Sequence, residues 1–549
     1  MPLSASAIAC TDLGFSWPDG SAVLSGLTTS FPSGLVGLVG RNGSGKSTLL
    51  ELIAGRRQPT GGSISVSGSV GYLPQTIPLT ADATVAGRLG IGATLDALER
   101  IEGGDTAPEL FDLIGTDWDV AERAQGALDQ LGLAGLELHR PLTQLSGGEA
   151  VLLALAAQLL ARPEVLLLDE PTNNLDRAAR GYLAEAVLGW RGSVIVVSHD
   201  RELLELAEHI GELRSGRLSW YGGNFCAYAA AVAAEQQTAQ RLVRAAGQEV
   251  RRQERELIEA RVALDRRARY GRRMAQQKRE PKIVMGARQR QAQVSAGKLR
   301  TGQERKVEQA RQQLVQAEQA IRAEREIRID LPETAVPAGR DVLALRRVEL
   351  RTIGPVDFDL RGPERVALTG RNGAGKTTLL ELLAGRAVPE QGSVEVAVPV
   401  RYLPQRLDLL DPGGTVLDNL RRLAPAATDN RLRAGLARFL FRGSKADQLV
   451  GTLSGGERFR ASLAALLLAE PAPQLLLLDE PTNNLDLVSV EELVGALSGY
   501  RGALIVASHD PAFLAELNLT RRLHLDRGLI ELSGSGSGTA TNQLPDCTA

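Results

Sequence analysis

A glycine-rich run ending in a lysine and a hydroxyl residue occurs twice in the chain. Gly40-Arg41-Asn42-Gly43-Ser44-Gly45-Lys46-Ser47-Thr48 returns as Gly370-Arg371-Asn372-Gly373-Ala374-Gly375-Lys376-Thr377-Thr378. Glycines let the backbone curl until successive N–H groups point at phosphate oxygens; the lysine brings a positive charge to the terminal phosphates, and Ser47 or Thr377 offers a hydroxyl to Mg2+. Farther on, Asp169-Glu170 and Asp479-Glu480 each close an apolar run. A carboxylate at the carboxyl end of a parallel strand lies at the ligand edge of the sheet, so Asp169 and Asp479 suit the Mg2+ shell. Glu170 and Glu480 are then placed to orient or deprotonate an attacking water. A chance glycine turn, or a strand merely stopped by Asp-Glu-Pro, explains either motif alone but not their pairing in both copies. These residues by themselves imply nucleoside triphosphate hydrolysis and no more.

The elements that must hold these residues are duplicated too. Residues 40–52 and Tyr72-Leu73-Pro74-Gln75 recur 330 positions later, whereas Leu166 to Asp176 and Ser198-His199-Asp200 recur 310 positions later. The first copy therefore carries about 20 extra residues, mainly before Ser146, too few for a large inserted arm. The runs Gly34 to Val39, Val165 to Leu168 and Val194 to Val197 have the length and β-branched content of buried strands, and helical stretches separate them. An α/β unit with a parallel sheet is predicted for each copy. The expected division is 1–224 and 336–532 for the two units, 225–335 for a linker without counterpart, and 533–549 for a Ser-Gly-rich flexible tail.

Composition excludes several classes. With 549 residues and 43% hydrophobic side chains the chain can bury several cores. Its longest run without a polar side chain, Phe225 to Ala234, is ten residues, where a membrane-spanning helix needs about 20. The start lacks a signal or transit composition, so a cytoplasmic location is expected. Cys10, Cys226 and Cys547 are too scattered for a disulfide framework or a zinc or iron–sulfur ligand set, and reduced thiols are expected.

Leu145-Ser146-Gly147-Gly148-Glu149 and its copy Leu453 to Glu457 resemble the signature sequence of ATP-binding cassette (ABC) ATPases. The resemblance covers about 420 of the 549 residues. It implies a glutamine loop at Gln75 and Gln405 that also reaches Mg2+, an Asn-Leu-Asp D-loop at 174–176 and 484–486, and switch histidines His199 and His509 that hydrogen-bond the γ-phosphate. It also implies that each ATP is held between opposite cassettes. Gly40, Asn42, Gly43, Gly45, Lys46, Ser47, Thr48, Gln75, Asp169, Glu170 and His199 would face Ser454, Gly455 and Gly456. Gly370, Asn372, Gly373, Gly375, Lys376, Thr377, Thr378, Gln405, Asp479, Glu480 and His509 would face Ser146, Gly147 and Gly148. Two ATPs would then staple the cassettes head to tail within one monomer. Trp17 is placed like the aromatic that stacks on adenine in these cassettes, with core packing as its other reading; at Leu345-Arg346-Arg347 the second copy shows no equivalent. Ala150 follows the first signature glutamate where the second copy has Arg458, so the two hydrolytic sites need not be equal.

The linker narrows the kind of cassette protein. Residues 235–330 hold 24 basic and 13 acidic side chains, and 266–306 hold 14 and 2. Val243, Val250, Leu257 and Leu264 recur every seven residues, as do Val307, Leu314 and Ile321, which predicts two antiparallel helices in a coiled-coil hairpin. Gly271, Pro281 and Gly286 put its tip near 271–290. A charge run is usually a solvated face, but this excess peaks where a long arm would meet a polyanion. The RNA-binding candidates are Arg266, Arg267, Arg269, Arg272, Arg273, Lys278, Arg279, Lys282, Arg288, Arg290, Lys298 and Arg300. Two P-loop cassettes joined by such a linker, with no membrane span, resemble the ABC-F family of ribosome-associated ATPases. That likeness implies ATP and Mg2+ as cofactors and the ribosome as partner, with the hairpin directed toward 23S rRNA, P-site tRNA and the peptidyl-transferase centre. It implies ATP-closed binding and release by hydrolysis, in a translation factor or a ribosome-protecting antibiotic-resistance protein. The rival reading is the cytoplasmic ATPase subunit of a membrane transporter, which leaves the basic hairpin without a purpose.

Overall fold

The computed structural model of the protein describes residues 7–78, 83–276, 282–320, 329–351, 353–405, 409–483, 485–526 and 528–532. One compact unit contains both repeats, and a second is built on Tyr228–Glu324. In the first repeat the strands are β1 (Ile8–Ser16), β2 (Ala22–Phe31), β3 (Leu35–Val39), β4 (Gly61–Val66), β5 (Val70–Leu73), β6 (Val165–Asp169), β7 (Ser193–Val197), β8 (His209–Arg214) and β9 (Arg217–Gly222). They form an antiparallel sheet in the order β2-β1-β4 and a six-stranded sheet in the order β5-β6-β7-β3-β8-β9. The larger sheet is parallel except at β9.

The second repeat reproduces both sheets with β10 (Asp341–Leu350), β11 (Ile353–Arg361), β12 (Arg365–Thr369), β13 (Gln391–Val396), β14 (Val400–Leu403), β15 (Leu475–Asp479), β16 (Ala503–Ala507), β17 (Arg521–Leu525) and β18 (Leu529–Leu532). Every residue of β6 and β15 is buried, as a parallel strand covered on both faces requires, and their Leu-rich sequences supply the apolar surface. Because β3 lies two places from β6, the glycine loop after β3 and the Asp-Glu pair ending β6 emerge at the same sheet edge.

The extra residues of the first repeat form helical structure. Helices Gly92–Glu102 and Pro108–Ile114 close a small apolar cluster of Ala97, Leu110 and Ile114. Cys226 lies on helix Phe225–Gln276, and Cys547 lies outside the described residues. Cys10 is a free thiol that burial pushes up to about 11.

In the second unit, helix Phe225–Gln276 has 52 residues and helix Lys282–Ala320 has 39. The first is about 78 Å long at 1.5 Å per residue. Arg261 pairs with Glu304 at 3.3 Å and Glu254 with Arg311 at 2.7 Å, so seven residues forward on one helix match seven back on the other. The helices are therefore antiparallel. Val307 and Ala310 are buried, and Val243, Val250, Leu257, Leu264 and Leu314 are half-buried along the seam. Gly271 and Gly286, expected near the tip, lie inside the helices. An isolated helical glycine costs only about 1 kcal/mol, which the rest of a long helix absorbs. Arg266, Arg267, Arg269, Arg273, Lys298 and Arg300 are exposed. Arg272, Lys282, Arg288 and Arg290 lie on the helices but their side chains are not described; Lys278, Arg279 and Pro281 lie outside the described residues, as do Ile321, Asn484 and the 533–549 tail.

Candidate functional site: two facing nucleotide sites

The first glycine loop is locked by its backbone. Gly40 adopts φ 151, and a Cβ there would meet the Leu213 carbonyl oxygen at 2.4 Å. Gly45, at φ 100, starts helix Lys46–Ile53 from the left-handed region. Only glycine fits either position without strain. The helix start leaves backbone N–H groups directed at the loop, an anion site by construction. Lys46 is buried, and its Nζ donates to the carbonyls of Gly40 at 2.7 Å and Arg41 at 3.2 Å. Burial lowers its pKa, opposed by Glu170, Asp486 and Asp169.

A cavity of about 330 Å3 opens here, lined by Trp17, Val23, Asn42, Gly43, Gly45, Lys46, Ser47, Thr48, Gln75, Glu170, Val197 and His199. Asp169 stands behind it, accepting from Ser47 Oγ at 3.1 Å and from the Tyr72 hydroxyl at 3.4 Å. Desolvation raises the Asp169 carboxyl, whereas Ser47 and Lys46 draw it down. Glu170 is pushed up to about 8 by burial. His199 lies 3.1 Å from Glu170 and is lowered to about 3 by desolvation and by Lys46, so its ring is neutral near pH 7. A hydroxyl beside a carboxylate is the hard-oxygen donor set that Mg2+ takes, completed by substrate phosphates and water. Among the described residues no group of three or more His, Cys, Asp or Glu forms a cage of its own.

The second cassette repeats the arrangement. Lys376 Nζ donates to Gly370 O at 2.8 Å and Arg371 O at 3.3 Å, and it also lies 2.8 Å from His509 Nε2. Gly375 again starts the helix from φ 98. Asp479 is hydrogen-bonded by Thr377 and by the Tyr402 hydroxyl at 3.2 Å. Glu480 is raised to about 7, chiefly by burial, and accepts from His509 N at 3.2 Å. Burial lowers His509 to about 4.

Each loop is touched by the opposite cassette. Asn42 N donates to Asp486 Oδ2 at 2.7 Å, and Asn372 N to Asp176 Oδ2 at 3.4 Å. Asn372 Nδ2 donates to Asn174 O at 2.8 Å, and Gln405 Nε2 to Asn174 Oδ1 at 3.4 Å. Asp176 and Asp486 serve twice, because their other oxygens cap helices Arg177–Leu188 and Leu487–Ser498. Ser146 and Ser454 are N-caps with full capping boxes to Glu149 and Glu457. A Cβ on Gly148 would lie 3.8 Å from Asn372 Nδ2. Ser454, Gly455 and Gly456 do not line the first cavity.

The ABC transporter family matches residues 24–173 and 353–483. The tylosin resistance ATP-binding protein TlrC of Streptomyces fradiae is 36% identical over 90% of this chain and 92% of its own. The energy-dependent translational throttle protein EttA of Mycobacterium tuberculosis is 32% identical over 90% and 87%. The chain belongs to the ABC-F family. A probable ATP-binding protein, YheS of Escherichia coli, is also similar at 32% identity, over 87% of this chain and 72% of its own. A solved RNase-L inhibitor shares the fold, with TM-score 0.56 and 20% identity over 93% of this chain and 87% of its own.

As an ABC-F protein the chain is an ATP hydrolase built from two cassettes. No described helix is long and apolar enough to cross a membrane. Sequence reasoning assigned no role to Tyr72 and Tyr402, whose hydroxyls hydrogen-bond Asp169 and Asp479 from the adjoining strand. Their signal was present, since each stands three residues before its loop glutamine in both copies. Arg180, which reaches both cassettes, left no such trace.

Proposed function

We propose that this ABC-F ATPase binds the ribosome in its ATP-closed state, directs the basic hairpin at ribosomal RNA and tRNA, and leaves on hydrolysis. The observation that carries the reading is the pair of long antiparallel helices whose 266–306 stretch holds 14 basic and 2 acidic residues. A polyanionic backbone is the partner such a charge distribution fits. The similarity to proteins named for translational throttling and tylosin resistance supports the same direction.

In each site the glycine loop and Lys46 or Lys376 cradle the β- and γ-phosphates. Ser47 with Asp169, or Thr377 with Asp479, would hold Mg2+, which supplies charge neutralisation at the transferring phosphate. Gln75 and Gln405 reach the same side. Glu170 and Glu480 orient the attacking water and accept its proton, for which a burial-raised carboxyl near neutral pH is suited. Neutral His199 and His509 offer a ring N–H to the γ-phosphate. Ser146, Gly147, Gly148 and Ser454, Gly455, Gly456 close on it from the opposite cassette. ATP favours closure only through these interactions across the cassettes, so hydrolysis reopens the pair by removing them.

The test is co-sedimentation of Glu170→Gln/Glu480→Gln protein with 70S ribosomes, in ATP and in ADP. ATP-dependent pelleting is expected, and absence of binding in both states overturns the reading. The protective refinement, favoured by the TlrC likeness, is checked by whether the parent protein restores cell-free translation inhibited by tylosin.

A further inference from the structure

The helix that follows the first D-loop carries a cation to both switch-histidine loops. Asp176 caps helix Arg177–Leu188, and Arg180 stands one turn along the same face. Asp176 meets the second glycine loop at Asn372, so that face is turned toward the second cassette. Arg180 Nη1 lies 2.8 Å from Oδ2 of Asp200, the neighbour of His199, and donates to the carbonyl of His509 in the opposite cassette at 3.5 Å. Its Nε donates to Leu175 O at 3.3 Å, which fixes the guanidinium against the D-loop.

The two loops receive this cation differently. In the first, Asp200 Oδ1 accepts from Glu202 N at 2.9 Å and Leu203 N at 3.2 Å, and Asp200 N donates to Ser198 Oγ at 3.0 Å. Arg180 takes the other carboxylate oxygen of a loop already tied within its own cassette. In the second cassette the helix position that corresponds to Arg180 is Val490, which carries no donor. The cation comes instead from the first cassette, and it arrives on the backbone of His509 itself, whose Nε2 lies 2.8 Å from the phosphate-loop Lys376. Burial raises the carboxyls of Glu480 and Asp510 on either side of this contact, and the Arg180 charge opposes the rise at both. A charged donor on a carbonyl, away from water, is a strong and directional contact.

We propose that Arg180 is a positioning residue of the second nucleotide site, acting from the opposite cassette: it holds the His509 backbone so that the ring meets the γ-phosphate while the cassettes are docked. The proposal rests on the nucleotide sites and the glutamate and histidine roles assigned above. Because Val490 cannot return the contact, the dependence runs one way, and the first cassette completes the second site.

The experiment is steady-state ATP turnover by the full chain with one glutamate replaced at a time, so that Glu170→Gln reports the second site and Glu480→Gln the first. Adding Arg180→Val to Glu170→Gln should lower kcat roughly tenfold or more with KM for ATP within about twofold, the pattern of a displaced group that acts in the transition state. Added to Glu480→Gln, it should change kcat by less than about threefold. Two further variants separate positioning from weakened folding or docking. Arg180→Val/Asp200→Asn removes the carboxylate that Arg180 compensates yet still lacks the donor to His509, so the kcat loss in the Glu170→Gln background should persist. Glu516→Gln removes another ion pair between the cassettes, Arg201 Nη1 to Glu516 Oε1 at 2.7 Å, and should leave kcat within about twofold. An equal kcat loss from Glu516→Gln, an equal loss in both glutamate backgrounds, or recovery on adding Asp200→Asn overturns the proposal. If Glu170→Gln/Glu480→Gln turns over ATP at the parent rate, the site assignment itself fails, a result distinct from any effect of Arg180.

Discussion

Arg180 of the first cassette lies 2.8 Å from Asp200 in the same cassette and 3.5 Å from the carbonyl oxygen of His509 in the other. The ion pair is nearly dry, with side chains 16% and 7% exposed. A third contact runs from its Nε to Leu175 O at 3.3 Å in the D-loop. The equivalent position in the second cassette is Val490, so this link is made from one side only.

Removing one partner of a buried ion pair costs about 3–5 kcal/mol, because the other charge is left without compensation. Asp200 also caps the helix Arg201–Leu204, which keeps part of its solvation satisfied. Arg180→Val is expected to destabilise the nucleotide-free protein by about 3 kcal/mol in denaturant unfolding. Arg180→Val/Asp200→Asn should recover most of that deficit. A single-variant deficit below about 0.5 kcal/mol would show that the pair is solvated in solution.

Catalysis makes a separate demand on Glu170 and Glu480. Replacing both by Gln keeps their size and burial but removes proton acceptance, for which a fall in ATP turnover of roughly 100-fold or more is expected. Retention of ATP binding distinguishes this from a folding defect, and turnover near the parent level would assign the base elsewhere.

The same carboxyls set a pH dependence of stability in EDTA without nucleotide. Glu170 and Glu480 rise from 4.5 to about 8 and about 7 in the fold, so the folded state holds more protons and loses stability as pH rises through those values. His199 and His509 fall from 6.5 to about 3 and about 4, so their contribution is lost as pH drops below 6.5. Between 4.5 and 6.5 the two pairs offset each other; above 6.5 only the carboxyls titrate. Thermal unfolding should therefore show Tm declining from pH 6.5 to 8, and Glu170→Gln/Glu480→Gln should flatten that decline.

Binding through the hairpin predicts a salt signature. Neutralising Arg266, Arg267, Arg269 and Arg273 to Gln should lower ribosome affinity and reduce the slope of log K against log salt by roughly one for each phosphate no longer neutralised. The residues are exposed, so Tm should hardly move. An unchanged salt slope would place the ribosome-facing surface elsewhere on the protein.

Much of the molecule was legible because it is written twice. Lys46 and Lys376, or Asp169 and Asp479, are recognisable as pairs, and a pair separates a working residue from a chance one. Heptad spacing gave the hairpin, although its glycines proved helical, since packing along 52 residues outweighs one weak position. What escaped was whatever occurs once. Arg180 has no repeated partner to flag it. Tyr72 and Tyr402 were seen as a repeat, yet their reach to the carboxylates depends on β5 lying next to β6.

Both cassettes belong to one chain, and the hairpin is what separates them in sequence. Their pairing is therefore unimolecular, governed by an effective concentration that dilution cannot change. Two identical half-sized subunits would come apart whenever the protein became scarce. Under the proposed ATP-driven closure, a tethered pair would open and close with the same equilibrium at any abundance, so even a few copies per cell would respond to the ratio of ATP to ADP and not to their own number.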